Sequence, residues 1–467
     1  MSFTSVNESI GRHRWTICAL IFAATTINYL DRSVLGLLKP ILSAAGVFGA
    51  NKADQELNYA DVVVCFQVAY AVGMLLAGKF IDKVGTKSGY AWAFVGWSIA
   101  SIGHALARHT WSFGFWRAAL GLSESGNFPA ANKAVAEWFP KKERAFATGL
   151  YNSGANVGAI VAPLTVPYIA RYWGWEWAFI LTGVVGLVWL AFWYALYAPP
   201  AVKLQSGKLS QAEYDYIQSD KDEQEAERAD LANVKVSWFR LLTFRQTWAF
   251  FSGKFLTDPV WWFFLFWLPS FLHGENTQKV NEFLAAHPGY TGDQASIPGL
   301  ISWPFAVAFI YTVATFGSIF GGWLPKQFIN GGMNANKARK LAMFLFALCP
   351  LTVLLASRLG AINTWFAVVI IAIACSAHQA WSANIFTTVS DMFPKKAVAS
   401  VTGIGGMAGA VGGILIAAAA GLLLKHFTEL DKVEVGYSIL FAVCGSAYLV
   451  AWVVMHLLVP KFKKIIL

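Results

Sequence analysis

Four ionisable side chains lie inside segments of the chain that are otherwise apolar. Asp31 and Arg32 are in the first such segment, and Arg117 and Glu124 are in the fourth. A cation at the centre of a bilayer costs ~2.5–3.5 kcal/mol even on insertion scales, so a charge placed there is first of all a hypothesis of function. Arginine stays charged at every relevant pH and forms two parallel hydrogen bonds to a carboxylate. Arg32 and Arg117 therefore predict a binding site for an organic anion.

A structural role for these charges is the alternative. Arg117 could be held in a buried ion pair with a carboxylate, which would leave Arg32 as the anion site. Glu124 follows Arg117 after about two helical turns, so both side chains project to one face of a helix, roughly 10 Å apart. Pairing of either side chain with a neighbouring helix therefore stays open.

Asp31 and Glu124 are the candidates for carrying a proton. Desolvation favours the neutral form of a carboxylate and a nearby arginine favours its charged form, so such a group can change protonation during a cycle. For Glu124, a structural ion pair is the competing interpretation. Asp31 directly precedes Arg32 in the sequence but points roughly 100° away from it around the helix, so proton transfer and packing are both open.

Polar and aromatic side chains in other apolar segments could contact a solute that carries hydroxyl groups. Amides suit hydroxyls, and an indole can stack on the apolar face of a sugar ring. Simple packing of the tyrosines and the histidine, and anchoring of the tryptophans at the membrane interface, are the alternatives. The candidates from the residues alone are Tyr29, Asn127, Asn152, Trp261, His378, Gln379, Ser382 and Asn384.

The composition requires a lipid environment around these segments. Of the 467 residues, 57% are hydrophobic and 13% are charged, whereas about 25% are charged in a typical soluble domain. The five cysteines lie in apolar stretches without paired spacing, so we expect neither disulfides nor metal ligation, and no cofactor. The first apolar run is followed by further spans rather than by a cleavage site, which argues against a signal peptide.

Twelve segments are long enough to cross a bilayer, which requires about 20 residues of helix. The prediction is therefore an all-α membrane protein with twelve transmembrane helices in two six-helix repeats. The charged segment 199–245 is predicted as a cytoplasmic linker between an N-terminal bundle, 1–198, and a C-terminal bundle, 246–467. The predicted spans are 15–38, 58–80, 88–107, 111–136, 145–170, 176–198, 246–272, 300–324, 338–357, 363–390, 397–424 and 436–459.

The distribution of basic residues orients these spans. With both termini in the cytoplasm, 24 of the 36 Lys and Arg residues fall on the cytoplasmic side, 8 on the other side and 4 within spans. This asymmetry follows the positive-inside rule, and a missed helix would scramble it. The net charge of +10 is thereby explained by topology rather than by nucleic-acid binding.

An internal repeat relates the two bundles. Residues 138–163 and 392–417 superimpose at a constant offset of 254 (138 to 392), with a shared FPKK turn, a Thr-Gly pair and matching glycines. Because the anchor includes a polar turn, general similarity of Gly/Ala-rich helices explains it poorly. Helices four and five therefore correspond to ten and eleven, and substrate is expected between the halves near the midplane. His378 is the repeat mate of Glu124.

The loop after the second span, GKFIDKVGTK at 78–87, resembles the loop motif of the major facilitator superfamily, with Thr86 in place of one basic residue. Within that superfamily the chain is similar to the anion:cation symporter family, and especially to bacterial hexuronate transporters. The matching pieces are NYLDR (28–32), WRAALGLSESGNFPAANKAVAEWFP (116–140), KKERAFATGLYNSGANVGA (141–159), GGWLP and AHQAWSANIFTTVSDMFP (377–394).

This resemblance implies a secondary transporter that works by alternating access, with proton-coupled symport of a hexuronate such as glucuronate or galacturonate. It implies Asp31 and Glu124 as proton carriers and Tyr70 as a substrate contact. Asp82 is expected to pair with cations or a helix end and so stabilise one closed state. The residues implied in conformational gating are Gly78, Asp82, Lys83 and Gly85.

Other function classes fit less well. No metal cluster, nucleophile triad or phosphate loop in the sequence indicates an enzyme, and a channel or receptor would not need duplicated halves. An organophosphate:phosphate antiporter also uses paired arginines and remains a rival, as does a symporter of another sugar acid or carboxylate. We expect a monomer in the bacterial inner membrane, whose partners are a small organic anion, protons and lipid, without nucleic acid.

Overall fold

The first half of the chain forms seven helices that are mostly long and apolar. A computed structural model describes residues 11–219, 238–292, 297, 300–463 and 465. Residues 11–198 are called the first half here, residues 246–463 the second half, and the residues between them the linker. The helices of the first half before the linker are α1 His13–Ala44, α2 Lys52–Val84, α3 Thr86–His104, α4 Thr110–Glu124, α5 Asn127–Trp138, α6 Lys141–Trp173 and α7 Trp175–Leu196.

The linker and the second half follow the same pattern. The predicted linker is partly described, and its residues 220–237 lie outside the described residues. A 3₁₀ segment, Cys349–Leu355, joins α13 to α14. The remaining helices are α8 Pro200–Gln205, α9 Gln211–Ile217, α10 Trp238–Leu241, α11 Arg245–Ala286, α12 Trp303–Asn330, α13 Ala335–Leu348, α14 Ala356–Ile362, α15 Thr364–Met392, α16 Lys395–Glu429 and α17 Val433–Leu458.

Apart from the three short linker helices α8, α9 and α10, these helices make up twelve long segments when α4–α5 and α13–α14 are each counted as one. Within the described part of the chain, nine segments are long and apolar enough to cross a membrane. The other three are α1, α3 and the broken pair α4–α5, and two of these, α1 and α4–α5, carry the buried charges. The twelve predicted spans thus correspond to the twelve segments, although hydropathy and length alone identify nine.

Three segments differ from the sequence-based boundaries. The fourth span breaks after Glu124 because Pro129 has no N–H to donate to the Ser125 carbonyl. The ninth changes to a 3₁₀ turn at Pro350 for the same reason. The segment 273–299, predicted as an external loop, is helical up to Ala286, and its residues 293–296 and 298–299 lie outside the described residues.

Close helix packing shows how the two halves correspond. A Cβ at Gly158 of α6 would collide with the Thr26 carbonyl of α1, and a Cβ at Gly412 of α16 would collide with the Phe255 carbonyl of α11. Only glycine permits such a backbone approach. The two contacts are related by an offset of 254 for the glycines (158 to 412) and of 229 for the carbonyls (26 to 255). Helix α11 therefore plays the part of α1 in the second half.

The halves meet toward one face of the molecule. We call the face with the start of α1 and the end of α2 the terminal face, and the other the opposite face. Toward the opposite face, the Tyr59 hydroxyl donates to the Phe266 carbonyl over 2.7 Å, and Lys425 Nζ lies 2.7 Å from Asp54 Oδ1. Both contacts join the first half to the second, so the gap between the halves is closed toward the opposite face.

Candidate functional site

A buried ion pair joins α1 to α4 in the middle of the first half. The Nε and Nη2 atoms of Arg32 donate to Oε2 of Glu124 over 3.1 and 2.9 Å. Nη2 of Arg32 also donates to Oδ1 of Asn28, one turn earlier on α1, over 3.2 Å. Arg32 is 2% exposed and Glu124 is 0% exposed. Both charges are therefore desolvated, and each depends on the other for compensation.

Aromatic rings enclose the Arg32 guanidinium. Its Cζ lies 4.9 Å from the ring centroid of Tyr29 and 4.8 Å from that of Tyr70. The Trp262 ring of α11 is 5.3 Å away, so the second half also contributes to this enclosure. Ring faces attract cations, and more strongly where water is excluded. Tyr29 and Tyr70, both predicted from the sequence, are thus brought together at Arg32.

Arg117 is buried beside this pair with most of its donors free. Its Nη2 donates to the Arg32 carbonyl over 3.1 Å, whereas its Nε and Nη1 have no hydrogen-bond partner among the described residues. Arg117 is 0% exposed, and its guanidinium lies 4.9 Å from the Phe66 ring centroid. The carboxylate that pairs with an arginine here is Glu124, and its partner is Arg32 rather than Arg117.

Asp31 faces away from the Arg32–Glu124 pair. Its Oδ1 accepts a hydrogen bond from the Ser101 hydroxyl of α3 over 2.9 Å, and the Ser101 and Thr182 hydroxyls lie 2.9 Å apart. Its Oδ2 has no partner among the described residues. Asp31 therefore lies at the packing of α1 with α3 and α7, where hydroxyl groups hold it in one orientation. The two intramembrane acids are held by different partners, as their places on the helices indicate.

In the second half an aromatic stack faces this region. The rings of Trp261 and His378 stack at 5.0 Å between centroids with 13° between their planes. His378 Nδ1 and the Tyr448 hydroxyl lie 2.6 Å apart, and Trp261 contacts the Tyr311 ring edge-on at 5.6 Å. The hydrogen bond fixes the imidazole, and the imidazole in turn fixes the indole.

One turn before Trp261, α11 carries a second ion pair. Lys254 Nζ lies 2.7 Å from Asp258 Oδ2, with 8% and 22% of their side-chain surfaces exposed. Lys254 Nζ also lies 4.6 Å from the Phe386 ring centroid. The sequence puts Asp258 on one helical face with Trp261 and Trp262, but the pairing of Asp258 with Lys254 was not predicted. Their spacing of four residues, which places two side chains together on a helix, could have indicated the pair.

The remaining predicted amides and hydroxyls are spread over the molecule. The Asn127 Oδ1 accepts from the Tyr90 hydroxyl over 2.6 Å, and Asn384 Nδ2 donates to the Gly321 carbonyl over 2.7 Å. Both asparagines are buried between helices of their own half. Asn152 is exposed, and two further predicted residues on α15 are half-buried, namely Gln379 and Ser382.

The loop predicted to control conformation lies at the terminal face. Lys133 Nζ lies 2.8 Å from Asp82 Oδ1 and donates to the Ile81 carbonyl over 3.2 Å. Gly85, which ends α2, has a φ of 84°, a conformation that favours glycine. The predicted pairing of Asp82 with a cation is thus present in the structure, while Lys83 is exposed and Gly78 half-buried.

Gln67 on α2 is a buried polar residue that the sequence reasoning missed. It is 3% exposed, and neither its Oε1 nor its Nε2 has a hydrogen-bond partner among the described residues. A Cβ at Gly413 of α16 would lie 3.4 Å from Gln67 Nε2 and 2.8 Å from Trp262 Cδ1. Gln67 therefore lies between the halves, at about the level of the ion pair, because its neighbours Phe66 and Tyr70 both contact Arg32. A single Gln in an apolar segment gave no signal in the sequence.

The site has the properties of a non-covalent ion-binding site. Among the described residues, no group of three or more His, Cys, Asp or Glu side chains could hold a metal ion. The five cysteines are free. What the arrangement offers instead is a guanidinium with free donors, an ion pair that can be broken, and aromatic surfaces.

Comparison with known proteins agrees with this geometry. The sequence profile described as Major Facilitator Superfamily matches residues 21–417, which include both the ion pairs and the helix repeat. This chain belongs to the Major Facilitator Superfamily. As a member of that superfamily it is a multi-pass membrane transporter and not an enzyme.

Several major facilitator transporters are similar along almost the whole chain. The hexuronate transporter of Escherichia coli K12 is 30% identical over 452 residues, which cover 95% of this chain and 94% of that protein. The D-galactonate transporter of Escherichia coli O6:H1 is 29% identical and covers 89% of this chain and 90% of its own length. The galacturonate transporter of Dickeya chrysanthemi is 30% identical and covers 72% of this chain and 88% of its own length.

Solved structures share the fold. The inward-open form of the xylose transporter XylE from E. coli superimposes with a TM-score of 0.71 at 14% identity, covering 96% of this chain and 97% of that one. A bacterial homologue of the human lysosomal transporter Spinster, inward-facing and occupied, gives 0.66 at 15% identity, covering 97% and 98%. The major facilitator fold, with its twelve helices, is therefore the fold of this chain.

Proposed function

We propose that this chain is a proton-coupled symporter of a small organic anion, most suitably a hexuronate such as glucuronate or galacturonate. The observation that carries the proposal is Arg117, a fully buried guanidinium whose Nε and Nη1 have no partner among the described residues. Unpaired donors on a desolvated cation are costly unless an anion completes them. The names of the relatives supply the chemical class, because they are transporters of hexuronate, galacturonate and galactonate.

A carboxylate fits Arg117 better than other small groups. The guanidinium presents a planar fork that matches a carboxylate with two parallel hydrogen bonds. The Phe66 ring covers it at 4.9 Å and excludes water, which strengthens the electrostatic attraction. An anion bound there would also lie near Arg32, whose carbonyl already accepts from Arg117. The proposed anion site is therefore formed by Arg32 and Arg117 together.

We propose that coupling to protons arises because the substrate carboxylate and the Glu124 carboxylate compete for the hydrogen-bond donors of Arg32. In the structure Glu124 occupies the Nε and Nη2 donors of Arg32. An incoming substrate carboxylate would take over these donors and leave Glu124 as a buried carboxylate without its cation, a state that favours uptake of a proton. The substrate anion and the proton would then enter together. When both have been released, the Arg32–Glu124 ion pair would form again. Asp31 is proposed as a second proton carrier.

The other residues predicted to contact substrate fall into two groups, those that lie at the proposed site or on the path to it and those that serve helix packing. Tyr29 and Tyr70 present rings at Arg32, and Trp261, held by His378, directly precedes Trp262, whose ring also lies at Arg32. We propose Tyr29, Tyr70, Trp261 and His378 as substrate-contacting or substrate-positioning residues, with the half-buried Gln379 and Ser382 and the exposed Asn152 completing the path. The hydrogen bonds of Asn127 and Asn384 within their own halves favour a packing role for both residues.

Alternating access would move residues 1–198 against residues 246–467 around this site, with 199–245 as the connection. We propose that the terminal face lies in the cytoplasm, which the distribution of basic residues supports, and that the chain is a monomer in the inner membrane of a bacterium. The closed opposite face then corresponds to an inward-facing state. The Asp82–Lys133 pair lies at the face that must close next, so Gly78, Asp82, Lys83 and Gly85 are proposed to control that closure.

Transport by the purified protein in proteoliposomes tests this function. Labelled glucuronate, galacturonate and galactonate are offered with and without an imposed inward proton gradient. We expect concentrative uptake of a hexuronate that a protonophore abolishes and that sodium does not replace. Undiminished accumulation in the presence of a protonophore would exclude proton coupling, and strict dependence on phosphate inside the vesicles would indicate an organophosphate:phosphate antiporter instead.

A further inference from the structure

The Lys254–Asp258 pair on α11 has no role in the proposed anion and proton sites. Its atoms lie 2.7 Å apart, and 22% of the Asp258 side-chain surface is exposed although the residue lies well inside a long membrane helix. A buried pair that serves packing alone is expensive, since apolar residues of similar volume are often as good or better. A partly exposed carboxylate held by a lysine is instead ready to accept further hydrogen bonds.

The surroundings place this carboxylate at the gap between the halves. Gly409 of α16 lies against it, so that a Cβ there would collide with Asp258 Oδ2. Gly406, on the same face of α16 one turn nearer the terminal face, is exposed and has open space in front of its α-carbon. Trp262, one turn after Asp258 on the same face of α11, lies across the gap with its ring 5.3 Å from the Arg32 guanidinium. Asp258 therefore lies about one helical turn from the Arg32 region.

We propose that Lys254 and Asp258 form the hydroxyl-binding subsite of the second half. In this subsite the Asp258 carboxylate accepts hydrogen bonds from neighbouring hydroxyl groups of the sugar acid whose carboxylate is bound by Arg32 and Arg117. Lys254 keeps Asp258 ionised and fixes its orientation, and its remaining N–H donors can reach a further oxygen. The inference rests on the proposed function and assigns the specificity of that same site.

The charge of the pair identifies the substrate class. Lys254 and Asp258 together are neutral, so a second carboxylate on the substrate would meet a cation and an anion in equal measure and gain little. Hydroxyl groups, by contrast, donate to a charged acceptor and form hydrogen bonds stronger than those between neutral groups. The subsite therefore selects a polyhydroxylated acid with one negative charge.

The experiment compares two competitors in counterflow of labelled glucuronate by the full-length protein in proteoliposomes. One is unlabelled glucuronate, and the other is tetrahydropyran-2-carboxylate, which keeps the ring and the carboxylate but lacks the hydroxyls. The variants are Asp258→Asn and the double change Lys254→Met with Asp258→Leu, which leaves no lone charge behind. Glu176→Gln removes the acid of another ion pair, with Arg108, which lies within the first half and joins no part of it to the second, and is the control.

In the wild type, glucuronate should inhibit at concentrations at least about 10-fold lower than tetrahydropyran-2-carboxylate. Asp258→Asn and the double variant should weaken glucuronate about 10- to 100-fold and leave the other competitor unchanged, so that the preference disappears. Glu176→Gln should keep the preference. A preserved preference in both variants overturns the inference, as does equal weakening of both competitors, which would mean that the pair only maintains the fold. Absence of glucuronate transport by the wild type would instead refute the proposed function itself.

Discussion

Trp261 and His378 stack in the second half at the places that Arg32 and Glu124 occupy in the first. The offsets of the helix repeat, 229 from α1 to α11 (32 to 261) and 254 from α4 to α15 (124 to 378), relate the two pairs. The first half thus has an ion pair with 2.9 Å between its atoms, whereas the second has two flat rings 5.0 Å apart. Duplication kept the positions of the two contacts and changed their chemistry.

This difference would let the first half alone carry the proposed proton coupling. In that proposal the substrate carboxylate and Glu124 compete for Arg32 in the first half, while the stacked rings of the second half offer no charge that such a competition could involve. The second half instead offers apolar surface and the neutral Lys254–Asp258 pair. A substrate between the halves would therefore have its carboxylate toward α1 and α4 and its hydroxyls toward α11, which gives the site a direction.

Removing Arg117 should abolish binding without harming the fold. Arg117→Ala leaves the Arg32–Glu124 pair intact and removes a buried charge whose Nε and Nη1 have no partner among the described residues, so thermal stability should be kept or raised. Hexuronate affinity, measured by calorimetry in detergent, should fall at least about 30-fold. Arg117→Lys should rescue poorly because lysine lacks the planar fork.

Arg32→Ala should differ from Arg117→Ala in its effect on stability. It strands the Glu124 carboxylate, which is typically a loss of ~3–5 kcal/mol, so both binding and thermal stability should decrease. Arg171→Ala, at the opposite end of α6, is the control for loss of a positive charge and should change neither. Wild-type affinity in Arg117→Ala would remove Arg117 from the anion site.

Replacing Gln67 by an apolar residue should stabilise the closed opposite face. Both polar atoms of its amide are buried without a partner among the described residues, and each such group costs ~1–3 kcal/mol. Gln67→Leu should therefore raise the melting temperature and slow the opening of that face, measured as slower counterflow with unchanged affinity.

Gln55→Leu is the matched control because the Gln55 amide is satisfied. Its Nε2 donates to the Gly49 carbonyl over 2.6 Å and to the Ser43 carbonyl over 3.2 Å. This variant should lower the melting temperature. A lower melting temperature for Gln67→Leu would mean that the amide has partners in the membrane, for example bound water.

Breaking the Asp82–Lys133 pair should change transport rate more than stability. The two side chains are 75% and 29% exposed, and ion pairs this accessible contribute roughly 0–1 kcal/mol. Asp82→Asn should leave the melting temperature nearly unchanged and slow hexuronate counterflow severalfold, because the face that must close loses the carboxylate that holds Lys133 beside the end of α2. Normal rates at every temperature tested would exclude a gating role for Asp82.

The sequence predicted the architecture well because membrane insertion imposes simple rules. Twelve apolar segments and the basic loops between them gave the number of helices, and the FPKK repeat gave the duplication. The break after Glu124 and the turn at Pro350 were missed, since prolines are tolerated within membrane helices and do not by themselves show where a helix is interrupted. The helical extension to Ala286 was missed because its polar residues are typical of a loop.

The sequence predicted only part of the site, because it does not determine how the helices are rotated against one another. The spacing placed Tyr29 one turn before Arg32, and the family resemblance indicated Tyr70; both rings lie at Arg32 in the structure. The ion pair considered for Glu124 from the sequence was with Arg117, whereas the structure pairs Glu124 with Arg32. The partner depends on how α1 is rotated against α4, and a sequence contains no such angle.

Gln67 and Asn127 also show that the position of an amide in the sequence does not determine what the amide contacts. Asn127 was predicted to face substrate but accepts from Tyr90 in a helix interface, whereas Gln67 faces the gap without having been predicted. An amide in an apolar helix is a strong sign of a polar partner, yet its position alone does not say whether that partner is substrate or another helix.

Glu124→Gln separates proton coupling from substrate binding. The amide oxygen of glutamine can still accept from Arg32, and the rings of Tyr29, Tyr70 and Trp262 continue to enclose the guanidinium. The variant should therefore fold, with a lowered melting temperature, and still bind hexuronate. Because the competing carboxylate is gone, its affinity for the anion should equal or exceed that of the wild type.

Transport by this variant should split into two behaviours. Net uptake requires the carrier to release a proton inside and return empty, which a permanently neutral side chain cannot do in a coupled way. Gradient-driven accumulation should therefore fail, while exchange of internal for external hexuronate survives. Both are measured on one preparation, with thermal stability as the third readout.

Glu56→Gln provides the matched control for this change. Glu56 is also a carboxylate in an ion pair, with Lys39 Nζ 2.6 Å away near the opposite face, so the same acid-to-amide change should leave proton-driven accumulation in place. If Glu124 only held Arg32, then Glu124→Gln would lose binding, exchange and stability together, because a stranded buried guanidinium costs ~3–5 kcal/mol. Unimpaired pH-driven accumulation by Glu124→Gln would remove Glu124 from the proton path and leave Asp31 as the other proposed proton carrier.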